Sequence, residues 1–220
     1  MTMKRVLISV EGQTEETFIR DVLNNHFERL DIYLIPTLIT TKVVKDGPNF
    51  KGGMTNYGRI KRDLLRLLND RDAIAVTTMY DLYELPGDFP GYNNRPPQPY
   101  DKVRHLEESF ANDIGNPRFK PYLQLHEFEA FLFVAPDITA QELELNNNQL
   151  SAIAQIRTLF ATPEEINDNP NTAPSKRIAN IYNSYDKTFD GPFVTSSVGL
   201  NQLRSACPHF NEWIEWLESL

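Results

Sequence analysis

An α/β fold, with a mainly parallel sheet covered by helices on both faces and a helical C-terminal part, is what the sequence predicts. Three observations carry that prediction. Continuous apolar runs, "KRVLISV" at 4–10 and "AIAVTTMY" at 73–80, read as strands buried on both faces. Stretches of helical apolar spacing separate them in the order β-α-β-α-β, which argues for a layered sheet. Beyond residue 135 the apolar spacing is helical and no strand run recurs.

Phe18, Val22, Leu23, Phe27 and Leu30 are spaced for the helix after the first strand. "DIYLIPTLIT" predicts a second strand, interrupted at Pro36, and "VVKDGPNFKGGMTNYG" a loop. A helix resumes near Tyr57, where Ile60, Leu64, Leu67 and Leu68 form one stripe, and "AIAVTTMYD" is the third strand. The Pro, Gly and Asn content of "LYELPGDFPGYNNRPPQPYD" forbids regular structure, and so long a loop in a compact domain reads as functional. "DKVRHLEESFANDIG" is a helix ending near Gly115, and "FKPYLQLHEFEAFLF" a strand running into a helix. "NNNQLSAIAQIRTLFATPEEIND", "APSKRIANIYNSYDK" and "LNQLRSACPHFNEWIEWLESL" are helical, with Phe210, Trp213, Ile214 and Leu217 at core spacing. The expected organisation is an α/β core over 1–135 carrying a basic loop and helix insertion, and a mainly helical part over 136–220 packed on the same core.

The 220 residues, 40% of them hydrophobic, suffice for one substantial core with a lobe. Cys207 is the single cysteine, so an internal disulfide and a cysteine-based zinc site are excluded. No window approaches a membrane span, and "MTMKRVLISVEG" lacks the apolar stretch of a signal peptide, so a cytoplasmic location and no membrane are expected. The net charge of −8 argues against holding nucleic acid by charge alone, although divalent metal among carboxylates reverses their local effect on a phosphate. Basic residues gather in one tract, Lys42, Lys45, Lys51, Arg59, Lys61, Arg62 and Arg66. It is either a solvated face or a nucleic-acid approach surface.

Three strand ends terminate in acid. Glu11 follows the first, Asp81 closes the third, and Glu127 and Glu129 follow "YLQL", where parallel sheets place their sites. Glu127 and Glu129 share a face only if the backbone there is extended. Converging carboxylates repel one another unless a cation lies among them, and hard oxygen donors suit magnesium, manganese or calcium. Such ions serve phosphodiester cleavage. Glu15 and Glu16 also suit a helix's first turn by the helix dipole alone. No Gly-rich phosphate loop of the form G-x-x-x-x-G-K-[ST] is present, which counts against a nucleotide-hydrolysing enzyme.

"VEGQTEE" followed by the strand-end aspartate of "TMYDLYELPGDFPG" resembles the TOPRIM domain, the metal-dependent module of topoisomerases, primases and overcoming-lysogenisation-defect (OLD) nucleases. Glu11 with Glu15, four residues on, resembles the OLD form. "LQLHEFEAFLF", "PSKRI" and "GLNQLRSACPHFNEW" resemble a TOPRIM-like prokaryotic family of unknown function with a HEFEA motif, often encoded beside ABC-type ATPases. The resemblance implies a TOPRIM-like fold, Mg2+ or Mn2+ on Glu11, Glu15, Asp81, Glu127 and Glu129, and a nuclease acting on DNA or RNA. It implies catalytic roles for Glu11 and Asp81, and for Lys176 in "PSKRI" as the cation near the scissile phosphate, with Lys187 a rival. Lys42, Lys45, Lys51, Arg59 and Arg62 would then meet nucleic acid. An ATPase partner and a setting in antiviral defence are further implications. The chain reads Asp81-Leu82-Tyr83 where TOPRIM domains carry Asp-x-Asp, so a second ion would need Glu84, Asp88 or the Glu127/Glu129 pair. Without one, the alternative is a catalytically degenerate subunit that docks an ATPase.

Overall fold

The computed structural model describes residues 3–39, 56–83, 85–167 and 171–220. Five parallel strands form its sheet: β1 (Lys4–Val10), β2 (Ile32–Leu38), β3 (Ala73–Asp81), β4 (Phe119–Lys120) and β5 (Leu123–Gln124). The order is β2-β1-β3-β4, with β5 also on β3. Pro121 lies between β4 and β5 and has no N–H to continue the ladder, so one strand position is divided in two. Pro36 does not interrupt β2 as the sequence suggested. Strand β2 is an edge, paired only with β1, so Pro36 pairs across with Ile8 while its missing donor costs no second ladder.

Side-chain alternation along β1 sends Val6, Ile8 and Val10 to one core and Leu7 to the other. The first core packs against a continuous helical run of α1 (Gln13–Phe18), a π-helical segment (Ile19–Leu23) and α2 (Asn24–Phe27). Phe18, Val22, Leu23 and Phe27 are buried there as their spacing predicts, but Leu30 is 43% exposed, because the run tightens into a 3₁₀ turn at Glu28–Leu30. The opposite core packs α3 (Tyr57–Leu67) and α4 (Pro99–Ile114) on β1 and β3, and α4 stops at Gly115 in the left-handed conformation.

The chain continues through α5 (Pro136–Glu142), α6 (Asn147–Thr158), α7 (Pro174–Ile181), α8 (Lys187–Val198), α9 (Leu200–Ala206) and α10 (Pro208–Glu218). Their apolar faces join the first core with β1 and α1: Phe210 packs on Phe18 and Phe131, and the Trp213 ring stacks on Tyr122 at 4.5 Å. Phe210, Trp213, Ile214, Leu217 and Cys207 are all buried. Helix α8 lies where the sequence shows breakers, Gly191 and Pro192. A Cβ at Gly191 would stand 3.1 Å from the Phe128 ring and 3.2 Å from the Tyr185 hydroxyl, so glycine permits the close approach that α8 makes. Among the described residues no helix is long and apolar enough to cross a membrane.

Candidate active site

The carboxyl ends of β1 and β3 and the segment after β5 meet at one end of the sheet, and α1 and α8 close over it. Each acidic side chain is aimed by a backbone donor from a neighbouring turn or element. Oε1 of Glu11 accepts the Asp81 N–H at 2.7 Å, which ties the end of β1 to the end of β3. Oε2 of Glu15 accepts the Gly12 N–H at 3.0 Å, so this glutamate also serves the start of α1. Oδ1 of Asp81 accepts the Phe128 N–H at 2.9 Å, and Oε2 of Glu127 accepts the Ser175 N–H at 2.9 Å from the first turn of α7.

Glu127 has extended backbone, and a 3₁₀ helix (Phe128–Phe133) begins immediately after it. The extended geometry expected across "HEFE" therefore ends at Glu127, and His126 before it has a left-handed φ of 67°. Glu129 reaches the cluster from within the 3₁₀ turn. It is fully buried, and it accepts the Tyr185 hydroxyl at 3.5 Å.

Lys187, the first residue of α8, brings its ammonium to 3.5 Å from Asp81 Oδ2 and 3.4 Å from Glu129 Oε2. The Thr14 hydroxyl bonds the Lys187 carbonyl at 3.3 Å, and Asp186 caps α8 by accepting the Thr188 and Phe189 N–H groups. Burial opposes the lysine's charge, but Asp81, Glu129, Glu15 and Glu127 together hold its pKa above the ordinary lysine value. The carboxylates move the other way. Burial first, and then Asp81 and Glu15, push Glu11 well up. Burial and Asp81 push Glu15 up to about 7. Asp81 also rises to about 7, chiefly by burial, with Glu129 and Glu127 adding to it against the pull of Lys187. Burial raises Glu129 as well. These directions reflect burial first and like charge second, opposed by one ammonium.

Among the described residues no three His, Cys, Asp or Glu side chains are drawn together closely enough to hold a metal ion as they stand. The donor set nevertheless fits Mg2+ or Mn2+: every candidate atom is a hard carboxylate oxygen, and buried Glu129 Oε2 has no hydrogen bond beyond its ion pair with Lys187.

The remaining candidates lie elsewhere. Lys176 is exposed on α7, one residue beyond Ser175. Arg59 is half-buried and Arg62 exposed on α3, while Lys61 pairs with Asp113 and Arg66 with Asp63. Lys42, Lys45 and Lys51 lie outside the described residues, as does Glu84. Asp88 accepts the Tyr57 N–H at 3.0 Å and so supports the start of α3. Sequence reasoning missed Thr14, Ser175 and Tyr185 as contacts of the cluster. The one local signal was "FDGPF", a Gly-Pro pair that marks a close approach.

The model of the family described as Domain of unknown function (DUF4276) matches residues 10–218. A search of the curated proteins finds no match. Among solved structures, the C-terminal region of the Burkholderia pseudomallei OLD protein is similar at 14% identity and a TM-score of 0.39, over 96% of this chain and 98% of that one. The C-terminal region of the Xanthomonas campestris pv. campestris OLD protein is similar at 18% identity and a TM-score of 0.36, over 98% of both chains.

Proposed function

The chain belongs to the DUF4276 family, and for this member we propose a TOPRIM-like nuclease that hydrolyses phosphodiester bonds of DNA or RNA with Mg2+ or Mn2+. The observation that carries the reading is the set of carboxylates at the sheet's carboxyl end, Glu11, Glu15, Asp81 and Glu127, each with one oxygen pinned by a backbone N–H, around the ammonium of Lys187. Backbone donors hold side chains more rigidly than other side chains do, and preorganisation of this kind is what a metal or a transition state requires. Burying so many acids has no folding advantage, because each is desolvated beside others of like charge.

Glu11 and Asp81 would hold the principal ion, with Glu15, Glu127 and Glu129 completing the donor set. A bound ion would supply Lewis acidity at the phosphate and make water a stronger nucleophile. Lys187, within 3.5 Å of Asp81 and 3.4 Å of Glu129, would offer its ammonium to a phosphate oxygen and stabilise charge that develops on cleavage. Lys176, the alternative cation, would reach a phosphate only from the exposed face of α7. Arg59 and Arg62, with Lys42, Lys45 and Lys51, would form the approach surface. The same reading includes an ABC-type ATPase partner and a role as effector in antiviral defence, supported by the sequence resemblance alone.

A second reading, a catalytically degenerate subunit docking an ATPase, is favoured by Tyr83 in place of the second aspartate and by the open spacing of the carboxylates. Calorimetry with Mn2+ on the wild type, Glu11→Ala and Asp81→Ala, beside cleavage assays on single- and double-stranded DNA and on RNA, separates the two. Metal binding lost in either variant, with cleavage by the wild type, supports the nuclease. A wild type that binds no Mn2+ even with nucleic acid present leaves the docking subunit.

A further inference from the structure

Regular strand alternation would send Glu127 to the side of the sheet away from Asp81. Along β3, Met79 enters the first core and Tyr80 the opposite one, so Asp81 faces the first core's side. Tyr80 pairs with Leu123 and Asp81 with Gln124. Leu123 and Leu125 accordingly enter the core of α3 and α4, while Gln124 lies on the other face and accepts the hydroxyl of Tyr122, a first-core residue. Continued alternation puts Glu127 with Leu123 and Leu125. It is found instead with Asp81. Its Oε2 accepts the Ser175 N–H of α7, whose Ile178 belongs to the first core, and its charge acts on Lys187 together with that of Asp81.

The reversal falls at His126, a buried residue with a left-handed φ of 67°. Among the described residues Asp31 and Glu144 are the other non-glycine residues in this region, and both are exposed and follow helix ends. The Leu82 N–H donates to the Gln124 carbonyl at 3.0 Å, and the next N–H, of Tyr83, donates to the His126 carbonyl at 3.0 Å. One step beyond β3 is thus matched by two steps beyond β5. That is the count of a β-bulge, whose extra residue reverses the alternation after it and re-aims a side chain. We propose that His126 is a positioning residue: its left-handed backbone, and not its imidazole, turns Glu127 onto the carboxylate side of the sheet. The inference rests on the metal-site reading only for what Glu127 does once it is there.

Residue type decides whether the turn holds. A left-handed residue brings its Cβ against the following carbonyl, a clash that glycine lacks and that asparagine and histidine tolerate better than most side chains. A β-branched residue tolerates it least. If position 126 relaxed to extended backbone, alternation would return Glu127 to the face of α3 and α4. Glu127 would then lose the Ser175 N–H, and the Phe128 N–H would leave Asp81 Oδ1, which it now holds at 2.9 Å. Glycine and alanine both delete the imidazole and differ from each other by one methyl group. Comparing them at position 126 separates the backbone from the ring.

The test uses the full chain, isotope-labelled, with His126→Gly, His126→Asn, His126→Ala and His126→Val, and with Glu127→Ala as the reference for a lost contact. Amide hydrogen exchange of Ser175, taken relative to the β1 amides so that global opening cancels, reads the placement of Glu127 without metal. Mn2+ calorimetry reads the cluster. Glycine and asparagine are expected to leave Ser175 exchange at the wild-type ratio, and alanine to speed it about tenfold, as Glu127→Ala does. Mn2+ affinity should fall on the order of tenfold in His126→Ala, with no further loss when it is added to Glu127→Ala. Valine should exceed alanine, and the comparison of glycine with alanine decides the matter even where valine prevents folding. Equal acceleration by glycine and alanine assigns the effect to the imidazole and overturns the proposal. Ser175 exchange that is unchanged in His126→Ala, or in Glu127→Ala itself, overturns it too. A wild type that binds no Mn2+ removes the nuclease reading, while Ser175 exchange still decides what places Glu127.

Discussion

Lys187 Nζ lies 3.4 Å from Oε2 of Glu129, a carboxylate with no solvent exposure. The same ammonium is 3.5 Å from Asp81 Oδ2 and is therefore the counter-ion that the metal-free cluster possesses. Replacing it should leave two buried acids uncompensated. Lys187→Met is expected to lower stability without metal by about 1–2 kcal/mol, less than a fully buried pair because the lysine side chain is 44% exposed. Mn2+ should recover that loss and bind about tenfold more tightly to the variant, since no ammonium competes for the oxygens. Urea midpoints with and without Mn2+, and calorimetry, read both effects. Weaker Mn2+ binding would mean that the lysine assists the ion and does not compete with it.

A second charged pair lies deeper. His209 is 4% exposed, its Nε2 is 2.9 Å from Glu107 Oε1, and its ring stacks on Tyr122. Burial works against the imidazolium, but the hydrogen bond and charge of Glu107, with Glu164 and Glu212, outweigh it and raise the histidine pKa. A histidine favoured in its charged form by the fold adds stability that is complete below its unfolded pKa of about 6.5 and disappears as pH rises through the higher folded value. Glu164, raised chiefly by burial, acts in the same direction at lower pH, because its protonated form is the one the fold prefers. His209→Gln should flatten the decline of stability above about pH 6.5. Denaturation midpoints measured across that range provide the check, and an unchanged slope would assign the decline to other groups.

Phe210 ties α10 to the sheet side of the molecule. It is fully buried and in ring contact with Phe18, Tyr122, Phe131 and Trp213. Truncation to alanine should cost about 3–5 kcal/mol. Thermal unfolding should remain a single transition at a lower temperature. Loss of the α10 signal alone, ahead of the rest, would show the C-terminal helices to be an independent unit.

Gly191 sets how closely α8 approaches the Phe128 segment. A valine there would meet the Phe128 ring and the Tyr185 hydroxyl at distances already short for a Cβ. Gly191→Val is expected to cost about 1–3 kcal/mol by overpacking. Because Lys187 begins the same helix, Mn2+ affinity should change with it. Calorimetry on the folded variant would show an unchanged affinity if α8 moved without disturbing the cluster.

Arg59 and Arg62 on α3 belong to the basic tract. If both meet phosphates, Arg59→Ala/Arg62→Ala should reduce the salt dependence of nucleic-acid binding by about 0.7–0.9 for each phosphate no longer neutralised, uniformly across sequences. An unaltered slope would leave them a solvated helix face, with Arg59 half-buried for packing alone.

Periodicity is a local property, and what depends on it was legible. The apolar runs of β1 and β3, the α4 stop at Gly115 and the buried stripe of α10 follow from spacing and from the backbone freedom of one residue. The acids Glu11 and Asp81 were also visible, because a strand's carboxyl end is set by where its apolar run stops. Helix α8 was not. Gly191 and Pro192 argue locally against a helix, and burial of Val194, Thr195 and Val198 against α1 and the Phe128 segment overrides them. With α8 unseen, Lys187 could stand only as a rival to Lys176. Its 173-residue separation from Thr14, the partner of its carbonyl, lies beyond any sequence window. The pairing of Glu11 with the Asp81 N–H and of Glu127 with the Ser175 N–H was decided in the same way, by chain segments that meet only after the two cores have closed on the sheet.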